Sequence, residues 1–366
     1  MSASQTSTRT ALPANIGTIW TISDGTAGMR LQAVALADAL ADVLAAARQT
    51  KTGKRVGTRA KTPQDFVVTP PPLCRYLPRL GQIWPAATLD RLLASGCPDL
   101  PFRQEFPDIL ITCGRRMAGL SIAMRRLARY HGAHTRTIHI QDPRLPSHYF
   151  DILIVPQHDP TRGPNVITCM ASLNRLTMPQ IAGAAARLAS KWTSLPAPCV
   201  AVLLGGDNRR YRITDTMATH MAARLADFAR TNKASLALIP SPRTPASVVN
   251  ILMARLGDSR VTIATADDAN PYPGILGIAG AVIVTSDSVN MASEAALTGK
   301  PLLIAAWQPE TGRIAAFHQA MASAGHSAQL GTTLPTAGFT PLAEMPDIVA
   351  KVSALLANAP APARIC

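Results

Sequence analysis

An α/β protein of two consecutive Rossmann-like, doubly wound domains facing a cleft is the fold this sequence predicts, on three observations. Short apolar runs repeatedly stop at small polar residues and pass into helical periodicity. The series starts afresh after Pro196 and Pro198. The 366 residues are 47% hydrophobic but only 4% aromatic, which suits Ala/Leu/Val/Ile-rich layers and is long enough for two cores.

Residues 17–22 form the first predicted strand. Ser23, Asp24, Gly25 and Gly28 then make a glycine loop ahead of a helix over 29–48. Residues 49–63 are basic and polar, and Pro70, Pro71 and Pro72 interrupt any element nearby, so this span reads as irregular surface. Strands are expected at 109–112, 137–140 and 152–155, with a helix over 117–130 between the first two. In the second series, strand 200–204 gives way to Gly205, Gly206, Asp207, Asn208, Arg209 and Arg210, then a helix over 214–231. Further strands fall at 234–239, 261–263 and 281–285. After the last of these, Ser286, Asp287 and Ser288 open a helix that Gly299 ends and Pro301 follows. The implied organisation is a disordered tail at 1–13, an N-terminal domain at 14–180, a C-terminal domain at 195–345, and a C-terminal helix with a frayed tail at 346–366.

A formal net charge of +14 predicts anionic partners. Residues 1–175 hold 21 Lys and Arg against 11 Asp and Glu, and the remainder 15 against 11, so the N-terminal half is the basic one. Phosphate-bearing substrates and an anionic membrane surface both suit that field. Nucleic acid does not, because basic stretches interleaved with aromatics are lacking. No run reaches the roughly 18 apolar residues a membrane span needs, which predicts a cytoplasmic protein, at most peripheral on the inner face of the membrane. Cys74, Cys97, Cys113, Cys169, Cys199 and Cys366 form no CxxC pair and read as reduced core thiols. His131 and His134 suggest no third ligand, so no metal site is expected. The sequence sets no oligomeric state.

The candidate sites lie where strands end. A strand that stops at Ser286, Asp287 and Ser288 and opens a helix aims N–H groups and a positive dipole end at an anion, and a diphosphate fits there. Met291 belongs to the same turn, and Glu294 projects a carboxylate able to accept from a ribose diol. Gly205 and Gly206 permit close backbone approach to a phosphate, with Asn208 and Arg209 beside them. Ser241, Arg243 and Thr244 follow the next strand, and guanidinium-to-diphosphate pairing is available to Arg243. Tight strand-to-helix turns with solvated arginines explain the same residues without a ligand. In the N-terminal half, Asp24 is a candidate general base, with Gly25, Gly28 and Gln32 placed for an acceptor, although Ser23 or Asp24 capping the helix accounts equally for this loop. His158 and Asp159 are alternative bases. Arg115 and Arg116 stand at a helix start, while Arg125, Arg126 and Arg129 read as its solvated face; Asp142 and Arg144 also follow a strand.

Several ordered segments together resemble the mitochondrial fission family of the "elongated mitochondria" type. They are Trp20 to Gly28 with Gln32; Gly114, Arg115 and Arg116; Asp142 to Pro146; Phe150 to Asp159; Gly163 to Val166; Leu204 to Gly206; Ser241 to Pro245; and Ser286 to Pro301. That family is similar to GT-B glycosyltransferases, in which an element like Glu294, Ala295, Gly299 and Pro301 binds the ribose of a nucleotide-sugar. The segment from Asn270 to Leu276 is similar to their approach to the donor, whereas Ala281 stands where an acidic residue is usual. The resemblance implies transfer of a sugar from a nucleotide-diphosphate donor to an acceptor, one class of which is lipid-linked, with no cofactor beyond the donor. A non-catalytic membrane-associated organiser is the alternative. A nucleotide-sugar epimerase or dehydrogenase would need a Gly-x-Gly-x-x-Gly turn and a Tyr-x-x-x-Lys pair, and neither occurs.

Overall fold

The computed structural model describes residues 16–52, 62–208, 212–257, 260–265 and 267–358. The expected tail at 1–13, Arg209 and residues 359–366 lie outside them. The chain forms two compact units, one of residues 1–169, 173–175 and 344–366 and one of 170–172 and 176–343.

Unit 1 begins with β1 (Ile19–Ser23), α1 (Ala27–Thr52) and β2 (Gln64–Val67). Next come α2 (Pro72–Tyr76), α3 (Leu80–Ile83), α4 (Ala86–Gly96), β3 (Ile109–Cys113), α5 (Ala118–Tyr130) and β4 (Arg136–Ile140). A single 3₁₀ turn (Ser147–Tyr149) leads to β5 (Ile152–Pro156) and β6 (Val166–Cys169). Among the described residues its strands run parallel in the order β2-β1-β3-β4-β5-β6. Alternation assigns each side chain a face: Ile109 and Ile111 join the core over α1, and Leu110, Trp20 and Ile22 the core over α4 and α5.

Unit 2 begins with α6 (Met178–Ala186), α7 (Ser190–Thr193), β7 (Cys199–Leu204), α8 (Asp215–Asn232), β8 (Ser235–Pro240), α9 (Ala246–Leu256) and β9 (Val261–Ile263). It continues with α10 (Tyr272–Ile278), β10 (Ala281–Thr285), α11 (Val289–Ala296), β11 (Leu302–Ala305), α12 (Gly312–Ser323) and β12 (Ala328–Gln329). Its parallel order is β12-β11-β10-β7-β8-β9. Val200, Val202 and Leu204 face α8 and α9, while Ala201 and Leu203 face α10 and α11. The chain then returns to unit 1 as α13 (Met345–Asn358), whose Ile348, Val349, Val352 and Leu356 enter the core beside α1.

The domain limits differ from the sequence reading. The change of unit falls near residue 170 and again at 176, not between 180 and 195, because Ile181 and Trp192 complete the unit 2 core. The C-terminal helix forms where expected, yet its apolar stripe belongs to unit 1. Edge strand β2, which is largely exposed, and the short β6 carry too little apolar alternation to stand out in the sequence.

In each unit the strand order reverses beside the first strand, between β1 and β3 in unit 1 and between β7 and β10 in unit 2. Such switch points open crevices at the carboxyl ends of strands. A different close approach fixes α2: a Cβ on Gly119 of α5 would overlap the carbonyl of Cys74. Gly119→Ala is therefore expected to cost about 3 kcal/mol, the upper end for overpacking, measured by urea unfolding.

Candidate functional site

At the unit 2 switch point β7 runs into Gly205 and Gly206. The Gly205 N–H donates to Thr285 Oγ1 (2.7 Å) and the Gly206 N–H to Asp287 Oδ2 (2.8 Å). A Cβ on Gly205 would overlap the Asp287 carboxylate, and one on Gly206 the Arg243 carbonyl. Both glycines are thus required by the chain's own packing, and both N–H groups are occupied within it. The Asp287 carboxylate is fully buried and also accepts from the Thr285 hydroxyl (2.8 Å) and Trp307 Nε1 (3.0 Å), with the Arg243 guanidinium 3.4 Å away. Arg243 also donates to the Asp207 carbonyl (3.2 Å) while remaining about half exposed. The Ser241 turn is closed by its N–H to Thr244 Oγ1 (2.9 Å), and the Thr244 hydroxyl reaches the Gly205 carbonyl (2.6 Å). Asn208 follows, partly exposed.

Beyond β10, the Ser286 N–H pairs with the Ala305 carbonyl (3.0 Å). Ser288 is the N-cap of α11, its hydroxyl accepting from the Met291 N–H (3.4 Å). The next two N–H groups, of Val289 and Asn290, have no intrahelical acceptor and point out of the helix start. Further along α11, the Glu294 carboxylate accepts from the Tyr272 hydroxyl at 2.5 Å. Burial raises the Glu294 pKa above the usual carboxylate range, against the opposing pull of the Tyr272 bond, and burial beside Glu294 pushes the Tyr272 hydroxyl well up. A carboxyl whose charged form is penalised in the fold loses stability for the fold as pH rises through its folded pKa. Tyr272→Phe removes the group that opposes this penalty. It is expected to cost about 1–2 kcal/mol at neutral pH and less in acid, read from denaturant midpoints at the two pH values.

The sequence reading of 270–276 as a donor approach includes Tyr272 but not its bond to Glu294, and Thr285 and Trp307 are absent from the sequence candidates. Thr285 and Trp307 both stand at the carboxyl ends of strands, which is the signal that would have found them.

In unit 1 the structure joins Asp24 to Arg116 (3.3 Å) across the switch point. Burial works against the Asp24 charge, but the Thr26 hydroxyl and N–H and the Arg116 guanidinium outweigh it and hold the carboxyl below its ordinary pKa. Asp24 also accepts the Thr26 N–H (3.1 Å) and the Ser23 hydroxyl the Gly25 N–H (3.4 Å), both turns ahead of α1, so neither residue caps the helix as the sequence alternative expects. Gly25 takes φ +79°, and Gln32 donates to the Gly28 carbonyl (3.1 Å). Arg115 is exposed. Asp142 caps a turn by accepting the Arg144 N–H (2.7 Å), with Arg144 itself at φ +56°. His158 and the buried Asp159 lie in the turn after β5, two strands beyond β3.

Arg125 is a correction to the reading of a solvated helix face. Its side chain is largely buried, pairs with Asp151 (2.7 Å) and fastens the Ser147–Tyr149 turn through the His148 and Tyr149 carbonyls. Arg126 likewise turns in to the Gly81 carbonyl (3.2 Å). Cys74, Cys97, Cys113 and Cys169 are buried free thiols, and burial pushes the Cys74 and Cys169 pKa values up to about 12. Among the described residues no His, Cys, Asp and Glu group has the makings of a metal site, and no helix is long and apolar enough to cross a membrane.

A family model described as mitochondrial fission ELM1 matches residues 27–356, most of the chain. The chain belongs to the mitochondrial fission ELM1 family. The Arabidopsis thaliana mitochondrial fission protein ELM1 is 28% identical over 248 residues, 61% of this chain and 57% of its own length. The chain thus matches little more than half of that plant protein. An uncharacterised Rickettsia prowazekii protein is 27% identical over 321 residues, covering 78% of this chain and 82% of its own. Among solved structures, the UDP-GlcNAc 2-epimerase of Methanocaldococcus jannaschii superposes with a TM-score of 0.51 at 10% identity, covering 92% of this chain and all of that one. The fold of this ELM1 family member is accordingly GT-B-like. Because an epimerase shares it, the missing dinucleotide and Tyr-x-x-x-Lys motifs do not separate sugar transfer from epimerisation.

Proposed function

We propose that this ELM1 family protein is a glycosyltransferase that binds a nucleotide-diphosphate-sugar in unit 2 and moves the sugar to an acceptor served by the basic unit 1. The observation that carries the reading is the α11 arrangement: two open N–H groups at the switch point, and further along the same helix a carboxylate held in place by Tyr272. The open N–H groups and the free half of Arg243 offset diphosphate charge as the bond from the sugar to the diphosphate breaks. Glu294 keeps one oxygen for Tyr272 and presents the other to the ribose diol. Asp24, held ionised by Thr26 and Arg116, is the candidate to take the acceptor's proton, with His158 and Asp159 behind it.

The test is incubation with a panel of nucleotide-diphosphate-sugars in deuterated buffer, with and without extracted membrane lipid. Acceptor-dependent release of nucleoside diphosphate, lost in Glu294→Ala, supports transfer. Deuterium entering the sugar without release makes the protein an epimerase. Neither outcome with any donor contradicts an enzymatic role.

One observation favours a second reading, a membrane-associated organiser: the family and its plant relative carry mitochondrial fission in their names. Arg115→Glu is the clean charge reversal for it, since Arg116→Glu would also break the Asp24 pair. Loss of cellular function in Arg115→Glu, with Glu294→Ala fully functional, is the expected signature of the organiser.

A further inference from the structure

Three of the most exposed large apolar side chains in the described residues stand within eight positions of one another. Tyr76 is 68% exposed, Leu77 52% and Ile83 73%. Single exposed apolar residues are ordinary, but a concentrated group marks a docking surface. This group is not loosely attached. α2 sits directly on Gly119, whose missing side chain leaves room for the Cys74 carbonyl, and Cys74 itself is buried beneath. Gly81 packs against Ile122 of α5, and the Arg126 guanidinium holds the Gly81 carbonyl. The backbone is therefore clamped with its small residues inward and Tyr76, Leu77 and Ile83 outward.

Basic residues stand among these side chains in the sequence. Arg75 lies over the Tyr76 ring (5.1 Å), and Arg79 and Arg91 are exposed with no carboxylate partner among the described residues. Asp90, the acidic residue of this stretch, is taken up by Arg103 at 2.6 Å. A shallow open groove is lined by Trp84, Thr88, Arg91, Leu92 and Ser95, which follow Ile83 in the chain. An aromatic ring, an aliphatic side chain and an exposed guanidinium whose Nε donates to the Ala87 carbonyl (3.4 Å) but which meets no carboxylate among the described residues match the boundary between headgroup and acyl chain, where aromatic and aliphatic groups enter and arginine stays at the phosphates.

We propose that the α2–α3 ribbon and the start of α4 form an anionic-membrane docking face: Tyr76, Leu77 and Ile83 insert into the interface, and Arg75, Arg79 and Arg91 meet lipid phosphates. The excess of basic residues in the N-terminal half adds attraction at longer range. The inference goes beyond the proposed sugar transfer and is independent of it.

The test uses the full chain without nucleotide, so its outcome is separate from that of the donor site. Of the four tryptophans, Trp20, Trp192 and Trp307 are buried, so quenching by spin-labelled lipid reports Trp84. Binding to phosphatidylcholine vesicles containing about one-third phosphatidylglycerol is expected, with Trp84 quenched and with little binding to phosphatidylcholine alone. Leu77→Ser with Ile83→Ser should weaken it about tenfold or more, and Arg79→Glu and Arg91→Glu about fivefold or more each. Unchanged thermal unfolding of these surface variants confirms that folding is intact. Failure to bind anionic vesicles, or undiminished binding by the Leu77 and Ile83 variant, overturns the proposal. So does a concentration-dependent self-association that these substitutions abolish without lipid, which would make the face a protein interface.

Discussion

Asp287→Ala is expected to destabilise unit 2 by about 3–5 kcal/mol, enough to lower its thermal midpoint by roughly 10 °C. The carboxylate is fully buried and is the common acceptor for Gly206 N–H, the Thr285 hydroxyl and Trp307 Nε1, with Arg243 alongside. Removing it strands at least two buried donors and leaves a void between the loops after β7 and β10. Asp287→Asn keeps the shape but replaces one acceptor oxygen with a donor facing donors, so it should retain only part of the stability. Calorimetric unfolding of the two variants checks the order. A loss below 1 kcal/mol in Asp287→Ala would show that Asp287 does not organise this crevice.

Stability of unit 1 should fall as pH drops below neutrality, with His139 as the cause. The imidazole on β4 is buried, shares a hydrogen bond with Thr112 Oγ1 through Nδ1 (2.8 Å) and stacks on Phe150 at 4.8 Å. Burial lowers its pKa to about 3, against about 6.5 in an unfolded chain. Between those values the unfolded chain holds the proton and the folded chain does not. The contribution is therefore present in full above pH 6.5 and is lost as pH falls toward the folded pKa, at about 1.4 kcal/mol per pH unit. By pH 5 the loss is about 2 kcal/mol. Urea unfolding of the natural protein and His139→Leu at pH 7 and pH 5 isolates the effect, since other groups titrate alike in both. Equal losses in the two proteins would remove His139 as the cause.

Strand ends and helix starts were readable because they depend on neighbours in sequence. Ser288 caps α11 and Gly299 takes φ +66° beyond it, as a capping hydroxyl and a terminal glycine require. Asp287 shows the limit of such reading. A strand-end aspartate between two serines can face a ligand or the chain, and what turns it inward is Trp307, 20 residues later, together with the loop after β7. The partner of Glu294 is likewise 22 residues upstream. The Gly205–Gly206 pair reads as phosphate-binding in sequence, while the structure shows a close approach by Asp287 and Arg243 that demands glycine first. The apolar stripe of α13 announces a buried helix, but nothing in the stripe selects unit 1 over unit 2.

Thermal unfolding against a panel of nucleoside diphosphates, with Glu294→Ala in parallel, tests the central claim most directly. A diphosphate at about a hundredfold excess over its dissociation constant adds roughly 2.7 kcal/mol and raises the midpoint by several degrees. Such a shift is expected for one base and is lost in Glu294→Ala. No shift with any nucleoside diphosphate, or an equal shift in the variant, would contradict a donor site on α11.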